Sequence, residues 1–166
     1  MQKRYFLISM ALMLFGFAST SFSEDWPTLE QEIAKSKVLN AKIGYTWAAA
    51  CQRDAMTDKI DCTLEQYDSS IMVDFGGGAS PIAVCIVSHD FPGRRGAIRV
   101  DGNKAITTNN YGCAPAQPLF NEMKIGKTIR SQYYKWPYDF PQDAKGTLTG
   151  IANSIAELPA RRANPE

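Results

Sequence analysis

The chain has little of what most catalytic signatures need. It carries one histidine, His89, in 166 residues. A triad or a histidine-based metal centre therefore has a single imidazole to work with. None of the four cysteines forms a Cys-x-x-Cys pair, which argues against a zinc site. The glycine run Gly76-Gly77-Gly78 lacks a Gly-Lys-Ser/Thr ending and reads as a flexible turn, not a phosphate cradle. No excess of one charge exists, with 18 basic against 17 acidic residues. That balance excludes a long-range pull on nucleic acid or anionic lipid. Beyond residues 6–18 no apolar run approaches the about 20 residues that cross a bilayer as a helix.

What is present begins with a targeting pattern. Lys3 and Arg4 precede the apolar residues 6–18, and Ser21-Phe22-Ser23 supplies small residues of the kind a signal peptidase reads. The pattern predicts a signal peptide over 1–23 cut after Ser23, with Ala18 as the alternative. Removing Lys3 and Arg4 from the 18 basic residues leaves 16 against 17 acidic, a net charge near −1. Residues 24–41 read as an N-terminal arm or short helix, with Leu29 and Ile33 on one face. Residues 42–158 are expected to form one β-rich domain, and 159–166 a frayed tail after a helix stopped by Pro159. The mature chain is expected to be periplasmic or secreted, without a transmembrane segment.

The four cysteines, Cys51, Cys62, Cys85 and Cys113, all follow the targeting segment. An even count in an exported chain implies two disulfides. Cys51–Cys62 and Cys85–Cys113 are the favoured pairs, because each flanks an expected hairpin or meander. Loop entropy alone makes the longer Cys85–Cys113 loop the costlier one to open, so Cys85→Ser is expected to destabilise more than Cys62→Ser.

Side-chain alternation does most of the remaining work. Tyr45, Trp47, Ala49 and Cys51 fall at alternate positions, as on a strand with one apolar face. Residues 60–67 and 70–75 read as the next two strands. Residues 82–108 read as a central meander: a buried strand over 82–87, a second over 97–100, a two-residue turn at Asp101-Gly102 and a returning strand over 104–108. Leu119, Phe120 and Met123 share a helical face that Gly126 ends. Along 127–135, Arg130, Gln132 and Tyr134 alternate with Ile129, Ser131 and Tyr133, which predicts an exposed or edge strand ended by Trp136-Pro137-Tyr138. Residues 140–145 read as turn. Thr147 or Thr149 is expected to cap a last helix carrying Ile151, Ile155 and Leu158. The sum is a mainly β chain: an antiparallel β-sandwich or small barrel with two or three short helices, stapled by disulfides.

Several of these motifs, taken in order, resemble the invasion-associated locus B family of exported bacterial proteins. They are Trp47…Cys51, Cys62-Thr63-Leu64, Ile98-Arg99-Val100-Asp101-Gly102, Gly112-Cys113, Met123-Lys124-Ile125-Gly126-Lys127 and Thr149-Gly150-Ile151-Ala152. The resemblance implies a periplasmic or surface-associated protein, in some members linked to host-cell entry, with no defined catalytic residues and no cofactor.

The function expected from these readings is a non-catalytic exported binding or envelope protein. Its partner is an unknown protein or envelope component, not nucleic acid. The alternatives are a periplasmic inhibitor of a host hydrolase such as lysozyme, and a small hydrolase using His89. Arg and aromatic residues are enriched where proteins meet partners. The candidate contact residues are therefore Arg94 and Arg95 on one stretch, and Arg130, Tyr134, Trp136 and Tyr138 on another. No catalytic or metal-binding residue is expected.

Overall fold

The computed structural model of the chain describes residues 46–165. The expected signal peptide over 1–23, the expected arm or short helix over 24–41 and Tyr45 lie outside the described residues. The strands are β1 (Ala48–Arg53), β2 (Ile60–Gln66), β3 (Ile71–Gly76), β4 (Ala83–Ile86), β5 (Ala97–Val100), β6 (Ile106–Thr107), β7 (Cys113–Pro115), β8 (Thr128–Lys135) and β9 (Tyr138–Thr147). The helices are α1 (Ala116–Ile125) and α2 (Ile151–Ala163). The first sheet has the order β1-β2-β3-β4-β7 and the second β6-β5-β8-β9, antiparallel throughout. Neither closes on itself, so of the two expected forms the sandwich is the one adopted and the barrel is not.

Alternation is what buries the core. Trp47, Ala49 and Cys51 turn inward from β1, Cys62 and Leu64 from β2, and Ile71, Val73 and Phe75 from β3. Ile98, Val100 and Ile129 do the same from the second sheet, and Leu119, Phe120 and Met123 come from α1. These residues form one cluster with Leu148, Ile151 and Leu158. Each large aliphatic buried this way contributes about 1.5–3 kcal/mol. Phe75 and Phe120 meet edge to face at 5.8 Å, which joins the first sheet to α1.

Both disulfides are bridges between directly opposed residues. Cys51 faces Cys62 across β1–β2, and Cys85 faces Cys113 across β4–β7. The first bridge lies on the core side of the sheet. The second lies on the outer side, in the row of Met72.

The central meander does not form as one sheet. β4 pairs with β3 and β7, whereas β5 pairs with β6 and β8 in the other layer. The chain crosses layers over residues 87–96, and Gly96 permits the crossing. A Cβ there would lie 2.7 Å from the Gln132 carbonyl oxygen and 2.8 Å from Ile86 Cδ1. Nor is Asp101-Gly102 a two-residue turn, since Ile98 pairs with Ile106 and a wider loop intervenes. Asp101 instead reaches the start of β8. Its carboxylate accepts from the Lys127 and Thr128 N–H groups and the Thr128 hydroxyl, which hold its pKa below the ordinary carboxylate value.

Three expectations along the C-terminal third are corrected. β8 is interior to its sheet and not an edge; the edge is β9, which occupies residues read as turn. Pro141 is tolerated there because an edge strand leaves one row of N–H groups unpaired. Gly146 suits this strand for another reason. The amide of buried Gln66 fills the place of a Cβ, 2.3 Å from Gln66 Oε1. Neither Thr147 nor Thr149 caps α2. The cap is Gly150, with φ 90°, and the threonine hydroxyls bond each other at 2.8 Å. Finally, α2 runs through Pro159 to Ala163, so much of the expected tail is helix. Proline removes one backbone bond, while buried Leu158 and an Arg162 bond to the Gly78 carbonyl hold the segment in place.

Candidate functional site

The β8–β9 hairpin ends at Trp136-Pro137, and its exposed tip gathers large side chains. Trp136 is 61% exposed, Tyr138 57% and Phe140 54%. Tyr138 and Phe140, two residues apart on β9, contact each other with ring centroids 5.8 Å apart. Trp136 lies against Phe91, at 5.3 Å. At this exposure Trp136 does not plug the core against Ile155 and Leu158.

The loop over residues 88–94 fixes the tip from one side. The Tyr134 carbonyl accepts from the Asp90 and Phe91 N–H groups at 3.2 and 3.3 Å. The Trp136 N–H donates to Asp90 Oδ1 at 2.6 Å. Arg94 Nε donates to Asp139 Oδ1 at 2.7 Å, and its guanidinium stands 5.6 Å over the Tyr134 ring. The aromatic side chains are thus presented from backbone that is already ordered, which lowers the entropic cost of binding.

Of the residues expected to bind, the fold brings together Arg94, Tyr134, Trp136 and Tyr138. It does not bring Arg95 or Arg130 to them. Arg95 lines an open groove of about 500 Å³ between the sheet edges β6 and β7, with Ile82, Thr108, Asn109 and Pro115. Arg130 faces outward from the second sheet between Arg99 and Lys145. Sequence reasoning missed Phe91, Asp139 and Phe140. Phe140 fell in a stretch read as turn, and Asp139 meets a partner 45 residues away, a pairing that carries no local signal.

His89 serves the same scaffold. It is buried at 7% exposure. The Tyr134 N–H lies 3.3 Å from Nδ1 and donates to it, which puts the ring proton on Nε2, 3.2 Å from the Arg94 carbonyl. Both nitrogens are therefore engaged by backbone, and neither is open to a substrate. The four cysteines are all in disulfides. Among the described residues no three His, Cys, Asp or Glu side chains gather as metal ligands.

The Arg94–Asp139 pair gives the tip a pH signature. The Arg94 hydrogen bond and charge hold the Asp139 carboxyl below its ordinary value of 3.8. A carboxylate with a depressed folded pKa stabilises above its unfolded pKa and loses that contribution as pH falls through the folded one. The Arg94 Nε–H resonance is therefore expected to hold its position from neutral pH down to the ordinary carboxylate range, and to move only in stronger acid. Movement near neutral pH, or an Asp139→Asn variant with an unchanged Arg94 signal, would contradict the pairing.

With this geometry established, comparison with protein families, characterised proteins and solved structures gives no match to the chain. Two disulfides indicate an oxidising, exported environment. No described helix is long and apolar enough to cross a membrane.

Proposed function

We propose that the protein is an exported, non-catalytic binding protein of a bacterial envelope, periplasmic or surface-associated, whose contact edge is the β8–β9 hairpin. The signal peptide over residues 1–23 and the resemblance to the invasion-associated locus B family belong to the same reading. The observation that carries it is the cluster of Trp136, Tyr138 and Phe140, all more than half exposed on backbone braced by Asp90 and by the Arg94–Asp139 pair. Contiguous exposed aromatics on a braced support mark interaction sites. The occupied nitrogens of His89 and the absence of any free cysteine favour binding over catalysis.

The test is a pair of variants, Trp136→Ala and Trp136→Ala/Tyr138→Ala. Stability is expected to stay within about 0.5 kcal/mol of the parent, as for other surface changes. Capture of the envelope partner is expected to fall by roughly tenfold or more, the range of a binding hot spot. A large loss of stability, or unchanged capture by the double variant, would refute the reading.

A further inference from the structure

β9 leaves one row of backbone groups open. The Leu148 N–H donates to the Lys127 carbonyl, one step past the Thr128–Thr147 pair. Hydrogen-bonded and non-hydrogen-bonded pairs alternate along an antiparallel ladder. The even-numbered residues of β9 from Gln142 to Gly146 therefore bond to β8. Asp143, Lys145 and Thr147 turn their N–H and C=O groups to the open side, and Pro141 turns its carbonyl there. Two positions in this row are special. The Thr147 carbonyl already accepts from the Trp47 indole at 2.9 Å. Pro141 has no N–H to donate. Proline and lysine on an edge commonly prevent strand addition. Here their placement leaves one register open.

We propose that β9 pairs antiparallel with β9 of a second copy of this chain, about a two-fold axis at Ala144, so that two four-stranded sheets become one. In that register Asp143 stands opposite Lys145 of the second copy, and symmetry repeats the pair. Their N–H and C=O groups bond each other in both directions. Pro141 falls opposite Thr147. The absent donor thus meets the occupied carbonyl, and the Thr147 N–H meets the Pro141 carbonyl. No N–H or C=O in the row is left unmatched. Ala144 at the axis and Gly146 beside it keep bulk away from the inner side of the seam.

Side-chain charge agrees with the backbone. Within one copy Arg99, Arg130 and Lys145 stand in one row, and like charges directly opposite each other destabilise a ladder. Pairing sets Asp143 of the second copy at the end of that row, beside Lys145. Both residues are exposed, and neither makes an ion pair among the described residues. Neighbouring registers fail on both counts. A slip of one residue sets the open groups against groups already bonded to β8. Moving the axis to Asp143 or to Lys145 opposes like charges. The first move also sets Pro141 against the Lys145 carbonyl, and the second sets the Asp143 N–H against the occupied Thr147 carbonyl. The seam spans residues 141–147, so Trp136, Tyr138 and Phe140 at the hairpin tip lie outside it. The pairing therefore goes beyond the proposed binding function, and either can fail alone.

The experiment is sedimentation equilibrium of the full chain and its variants over a concentration series, with amide exchange followed residue by residue. Residues 1–45 are common to every variant, so differences report the folded domain. The parent is expected to dimerise as concentration rises, with exchange slowed at the Asp143, Lys145 and Thr147 N–H groups. Asp143→Lys and Lys145→Asp each oppose like charges at two symmetry-related pairs. Each is expected to weaken dimerisation on the order of tenfold, and to melt with the parent at dilutions where the parent is monomeric. Mixing the two single variants is the decisive arm. A chain with two lysines then meets a chain with two aspartates, and a mixed dimer is expected at the parent's affinity or better. A parent that stays monomeric, single variants that dimerise like the parent, or a mixture no tighter than either variant alone would overturn the proposal. So would protection of the three N–H groups that appears only when another protein is added, which would assign the edge to a foreign strand.

Discussion

Cys62→Ser is expected to destabilise the protein more than Cys85→Ser, the reverse of the order that loop length gives. The two loops differ by a sequence separation of 11 against 28. In the chain-entropy model this difference favours the longer loop by only about 0.8 kcal/mol, on a base of about 3 kcal/mol for each bridge. Burial acts the other way and more strongly. Cys62 is fully buried and Cys51 is 2% exposed, both on the core face beside Leu64 and Leu158. Serine at position 62 leaves a hydroxyl and a free thiol inside that cluster, and an unsatisfied buried polar group costs about 1–3 kcal/mol. Cys85 and Cys113 lie on the outer face; Cys85 is 7% exposed and Cys113 half-buried, so a hydroxyl at position 85 lies nearer to water than one at position 62, outside the core cluster. Total costs of about 4–6 kcal/mol for Cys62→Ser and about 3–4 kcal/mol for Cys85→Ser follow. Denaturant midpoints with a common slope decide it. A lower midpoint for Cys85→Ser would show that loop entropy outweighs core polarity.

Trp47→Ala is expected to have an effect of similar size for a different reason. Trp47 is 2% exposed and ties three segments together. Its indole N–H donates to the Thr147 carbonyl at the end of β9, and its own carbonyl accepts from the Ser154 hydroxyl on α2, each at 2.9 Å. Removing the ring leaves a cavity in the core cluster and takes a partner from the Thr147 carbonyl. Truncations of this kind cost about 3–5 kcal/mol. The expected fall in melting temperature is roughly 15 °C. Trp47→Phe restores most of the volume without the N–H and is expected to fall between the two. Trp136→Ala, on the exposed hairpin, is the internal contrast. A Trp47→Ala protein that melts with the parent would show that the indole does not join β1 to β9.

The strands were legible wherever one face is apolar. Trp47, Ala49 and Cys51 alternate because β1 has a core on one side only, and the same holds for Ile129 and Ser131 on β8. The Cys51–Cys62 pairing was legible because its two strands adjoin in sequence; Cys85–Cys113 was expected to close one meander and instead joins β4 to β7 while β5 and β6 lie in the other sheet. β9 was not legible. Its edge position leaves Pro141 and Asp143 unpenalised, and Gly146 makes room for Gln66, so its composition reads as turn. Pro159 misled in the same way, since its neighbours in space hold the helix beyond it.

The candidate surface divides along the same line. Trp136 and Tyr138 drew attention as large side chains beside a proline, a feature of the local chain. Their bracing by Asp90, Arg94 and Asp139 joins segments some 45 residues apart. The charge count shows no excess of either sign because a sum over residues discards position; the registers of β5, β8 and β9 gather Arg99, Arg130 and Lys145 into one row. Alternation, turn chemistry and cysteine count act over a few residues, and those local terms were enough to specify a disulfide-stapled β domain. Which strand joins which sheet, and which side chains therefore share a face, depends on how the layers bury one common core. That is a property of contacts distant in sequence, and only the folded chain decides it.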